Sequence, residues 1–138
     1  MNYGRVILGG LVASLVLNIG EFVVNGVILH AGMVEWAKLH NFPTEPAPLF
    51  MAVAIGLTFL LGIVMVWLYA LIRPRMGPGP KTAVIAALVM WFGVCFYCAI
   101  IYGLLLQQPT NLLVIAIGWC LGEYVIAAIA GAWLYKEV

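Results

Sequence analysis

The sequence predicts an all-α fold: an integral-membrane, antiparallel four-helix bundle with a short interfacial helix in its first outer loop. Three observations predict it. Of 138 residues, 66% are hydrophobic and 8% charged, against about 25% charged in an ordinary soluble domain. The apolar residues gather in four runs, Val6–Leu29, Leu49–Ile72, Thr82–Leu106 and Leu112–Tyr135. Each is about 24 residues, enough to cross a hydrocarbon core of about 30 Å with some tilt. Finally, the cations fall mainly on one side. With four spans, Arg5, Arg73, Arg75, Lys81 and Lys136 share one face of the membrane and only Lys38 lies on the other.

In lipid the backbone must satisfy its own polar groups, so these runs are expected as helices of one domain covering residues 1–138. The excess of cations places both termini and the loop between the second and third spans in the cytoplasm. Net charge is +1, so there is no electrostatic footprint for nucleic acid.

The first run is longer than the 7–15 apolar residues of a signal peptide and contains Asn18, Glu21 and Asn25. It reads as a retained span. Ser14, Asn18, Glu21 and Asn25 follow spacings of four, three and four, which puts them in one narrow stripe at 100° per residue. An ionisable group facing lipid is expensive, so the stripe is expected to face another helix or a small wet cavity.

The outer loop "HAGMVEWAKLHNFPTEPAP" follows. Met33, Trp36, Ala37 and His40 share a helical face, so Ala31–His40 reads as a short helix at the membrane surface. "PTEPAP" reads as extended. The loop is more elaborate than a hairpin and is a candidate docking point for a partner. His30 and His40 have no zinc spacing, so no metal site is predicted. His30, at a helix end, is a candidate axial ligand for haem or a chlorophyll-type pigment; a solvated interfacial His is the plainer reading.

The second and third spans are joined by "RPRMGPGPKT", which ends like a phosphate-binding loop. That motif needs Gly before its Lys, and a strand before the loop. Here Pro80 precedes Lys81 and offers no N–H, so no nucleotide site is expected. Pro74 is expected to help end the second helix, and Thr82 to cap the third. Arg73, Arg75 and Lys81 are candidates for contact with anionic headgroups or a partner.

The third span carries Cys95 and Cys98, which read as small packing residues along with Cys120. The fourth reads "IGWCLGEYVIAAIAGAWLY", with Glu123 near its middle. Gly118 and Gly122 form a GxxxG step, followed by Ala127 and Gly131, a surface on which helices approach closely. "GEFVV" at Gly20–Val24 and "GEYVI" at Gly122–Ile126 echo one another, which hints that the two carboxyls share a depth. The Trp and Tyr residues lie mostly toward span ends, as in an interfacial belt.

At "NIGEFVVNGVIL", "VWLYALIRPRMGPGPKTA" and "GEYVIAAIAGAWLY" the chain resembles an uncharacterised family of small bacterial four-span inner-membrane proteins. The resemblance covers most of the chain and implies a four-helix fold in the bacterial inner membrane. It brings no activity and no catalytic residues.

The chain has no Asp and two His, and it shows no Ser-His-Asp or HExxH pattern. The leading expectation is a non-enzymatic membrane protein acting by packing, as an accessory subunit of a larger complex or as a homo-oligomer. The competing expectation is a small proton-coupled transporter or channel using Glu21 and Glu123, because an intramembrane ionisable group is a functional hypothesis by default. A haem- or pigment-holding subunit is the third.

Overall fold

Four helical runs are long and apolar enough to cross a membrane: Tyr3–Ile28, Pro48–Met76, Pro80–Leu105 and Thr110–Leu134. The structure, a computed structural model, describes residues 1–136. The described residues contain no strand.

α1 (Tyr3–Val23) opens at Asn2, whose side chain accepts a hydrogen bond from the Arg5 backbone N–H at 3.1 Å. This satisfies one of the donors a helix start leaves orphaned. The run continues through a π-helical turn, Val24–Ile28. α2 (His30–Leu39) follows, and an irregular stretch leads to α3 (Pro48–Met76). α4 (Pro80–Met90) passes through a second π-helical turn, Trp91–Phe96, into α5 (Tyr97–Leu105). α6 is Thr110–Leu134.

α1 packs on α3 and α6, α4 packs on the same two, and α3 also meets α6. Around the core the order is therefore α1, α3, α4, α6. The core is built from small residues: Ala13, Ala70, Ala83, Ala86, Ala87, Ala127 and Ala128 are buried, with Leu17, Met65, Val66 and Tyr124 among the larger ones. Lipid is as apolar as Leu, so the gain in joining such helices comes from close packing rather than from a hydrophobic difference.

Two expectations about the α3–α4 turn are corrected. Pro74 does not end α3; it lies inside the helix, which runs on to Met76. It forfeits one backbone bond only two residues from the helix end, where the break is tolerated. The helix stops at Gly77, whose φ of 83° favours glycine. Thr82 is not the cap of α4. Gly79 is, with Pro80 in the first turn, where its fixed φ suits a helix start. Thr82 is buried and its hydroxyl donates to the Gly77 carbonyl at 2.7 Å.

The two ends of the molecule are tied differently. At one, the Asn2 N–H donates to the Tyr135 hydroxyl at 3.4 Å, and the Gly79 N–H donates to the Tyr69 hydroxyl at 3.2 Å. Tyr69 and Tyr135 meet edge to face, and the Arg73 guanidinium lies 5.4 Å from the Tyr135 ring centroid. At the other, Trp36 of α2 is buried between His40 and Phe42, and its indole N–H donates to the Gln107 carbonyl at 3.3 Å. α2 is thus clamped to the loop before α6.

Candidate functional site: a carboxyl pair on the α1–α6 seam

α6 carries Glu123 into the core, where it is 6% exposed. Its Oε2 accepts from the Trp119 indole N–H at 3.0 Å, one helical turn earlier. The same N–H reaches the Gly20 carbonyl of α1 at 3.2 Å. Its Oε1 is buried and has no hydrogen-bond partner. A buried, unpaired carboxyl oxygen is costly.

The carboxyl fits there because residue 20 is glycine. A Cβ at Gly20 would occupy the place of the Glu123 side chain. Glu123 therefore rests on the α1 backbone at Gly20, the residue before Glu21. Glu21 is half-buried and its Oε2 accepts from the Asn25 amide at 2.8 Å. The Asn25 amide also donates to the Glu21 carbonyl at 3.1 Å. That carbonyl lies just before the π-helical turn, where the ladder changes register and Leu29 bonds back five residues to Val24. The Glu21 carbonyl also accepts from the Val24 backbone N–H, so the side-chain amide is its second donor.

Two thiols complete the surroundings. Cys95, from the second π-helical turn, lies against Cys120 of α6, and Tyr124 reaches Cys120. The turn is held to α6 by the Trp91 indole, which donates to the Ile117 carbonyl at 3.1 Å. Trp91 and Trp119 are therefore internal donors rather than members of an interfacial belt. Both π-helical turns, unforeseen in the sequence, flank the site, and such turns frequently mark functional positions.

The predicted polar stripe divides. Ser14 is buried and its hydroxyl donates to Phe59 of α3 and to Gly10, both at 2.7 Å. Asn18 is half-buried and donates to the Ser14 carbonyl at 2.9 Å, while Asn25 is exposed. Ser14 thus joins helices, whereas Glu21 and Asn25 belong to the carboxyl site.

The small-residue surface on α6 divides within the chain. Gly118 and Gly122 are exposed, with nothing within 4 Å of where a Cβ would sit. Close approach occurs instead near the chain termini. There a Cβ at Gly9 would lie 2.5 Å from the Gly131 carbonyl oxygen, and one at Gly10 would lie 2.5 Å from the Ile63 Cα. Ala127 and Gly131 are buried. The sequence did hold a signal: Gly9–Ala13 and Gly10–Ser14 are small pairs four apart on α1.

Among the other candidates, Arg75 and Lys81 are exposed and Arg73 is half-buried. His30 is exposed at the start of α2. Among the described residues no three His, Cys, Asp or Glu side chains gather as a metal site would require.

The fold and site together define an all-helical chain with four membrane-length helices and two neighbouring carboxyls on one seam. No family model, curated protein or solved structure matches it.

Proposed function

We propose that this chain is a non-enzymatic, multi-pass membrane protein that binds and releases protons at Glu123 and Glu21, as the core of a small proton-coupled transporter or channel. The single observation that carries the reading is the Glu123 Oε1, buried without a hydrogen-bond partner. Keeping a buried carboxylate charged with an unpartnered oxygen is costly, and a bound proton removes that cost. The cations nearest the site in sequence are Arg5, 16 residues before Glu21, and Lys136, 13 residues after Glu123. The compensating charge is then a proton. The chain is an antiparallel bundle in the bacterial inner membrane, with its basic end and both termini cytoplasmic.

The test uses Trp119 as a reporter, since its indole donates to Glu123. In reconstituted vesicles, changing the pH of either compartment is expected to shift the Trp119 fluorescence, defined by subtracting the Trp119→Phe signal. Glu123→Gln is expected to abolish the shift. A signal indifferent to pH on both sides would sink the reading.

A second reading is supported by the open surface over Gly118 and Gly122. An accessory subunit or homo-oligomer would seat a partner helix there. The native mass in mild detergent separates the two: fixed-ratio partners or copies support it, and a lone monomer removes it.

A further inference from the structure

Beyond the carboxyl pair, the basic end holds a separate feature. Arg5 of α1 and Trp133, Leu134 and Lys136 at the end of α6 line a cavity of about 160 Å³. No acidic side chain is among its described lining residues. It is smaller than the roughly 300–1,000 Å³ of a pocket for a drug-sized ligand, and two cations converge on it. That chemistry suits one phosphate group held between a guanidinium and an ammonium.

The surroundings specify which phosphate. Trp133 is 80% exposed at a helix end, the position in which an indole sits at headgroup level. Leu8 and Val12 fall within about 60° of Arg5 on α1, and Ile126 within about 20° of Trp133 on α6. Leu8 and Ile126 are exposed and Val12 is half-buried. Apolar side chains therefore lead from the cavity toward the middle of the molecule, as acyl chains require. We propose that Arg5, Lys136 and Trp133 form a binding site for the phosphate of an anionic phospholipid, with its acyl chains along the α1–α6 side of the bundle. The site rests on the membrane reading above and is independent of proton binding.

The experiment is native mass spectrometry of the chain released from vesicles of phosphatidylglycerol and phosphatidylcholine. The wild type is expected to retain phosphatidylglycerol selectively. Arg5→Gln with Lys136→Gln, both at exposed positions, is expected to retain it about 10-fold less. Lys38→Gln removes an exposed cation of α2 that does not line the cavity and is expected to retain it as the wild type does. Equal retention by all three, or equal loss in both variants, overturns the site while leaving the membrane reading intact. Displacement of the lipid by inorganic phosphate reassigns the cavity to the free anion and likewise overturns it. A chain that enters no vesicle overturns this site and the membrane reading together.

Discussion

α1 and α6 meet at two levels through glycine, with opposite results. Near the termini, Gly9 and Gly131 bring backbone against backbone, beside Ala13 and Val66. The contact is close, apolar and complete. Farther along, Gly20 makes room for a carboxyl, and the contact is polar and left one hydrogen bond short. The same residue type thus serves cohesion at one level and chemistry at the other. What differs is the neighbour that fills the space the missing Cβ leaves.

Four substitutions can break or sharpen this contrast. The largest effect is expected from Gly131→Leu. A Cβ there would already lie 2.5 Å from Val66 Cγ2 and 2.9 Å from the Gly9 carbonyl oxygen. The seam must open, at a cost of about 3 kcal/mol or more, seen as a lowered unfolding midpoint in detergent. A midpoint within experimental error of the wild type would show that the termini do not hold the seam.

Gly20→Ala is next. It drives the Glu123 carboxyl from its seat, so the pH response of Trp119 is expected to vanish while stability falls by only about 1–3 kcal/mol. If both fell together as in Gly131→Leu, the two levels would not be distinct.

Asn25→Ala removes the amide that serves both the Glu21 carboxyl and the carbonyl before the π-helical turn. A loss of about 1 kcal/mol is expected, with an altered pH response. An unchanged titration curve would place Asn25 outside the site.

The smallest effect is expected at Gly118→Ala with Gly122→Ala. Each Cβ enters open space, and Ala is the better helix former by about 1 kcal/mol or less. The monomer should be unharmed. A collapse of native mass would instead favour the packing reading.

Much of the architecture could be read directly. The helix at Pro48 begins one residue before the apolar run Leu49–Ile72, and the others begin within three residues of their runs. The polar residues on α1 and α6 were visible as exceptions to an apolar background. The close-packed face was not. Gly118–Gly122 matches a known spacing, yet it points away from the core, while Gly9, Gly10 and Gly131 carry the contact. Nor could the sequence show that Trp119 serves Glu123, that Cys95 meets Cys120, or that two π-helical turns flank them.

The division has a physical cause. Hydropathy is summed along the chain, so length, number of spans and charge asymmetry follow from the sequence alone. A helix that is apolar on every side carries no periodic mark of its partner. Which face turns inward is decided by shape, where Gly20 accepts a carboxyl and Gly9 accepts a carbonyl, and only the assembled tertiary structure contains that choice.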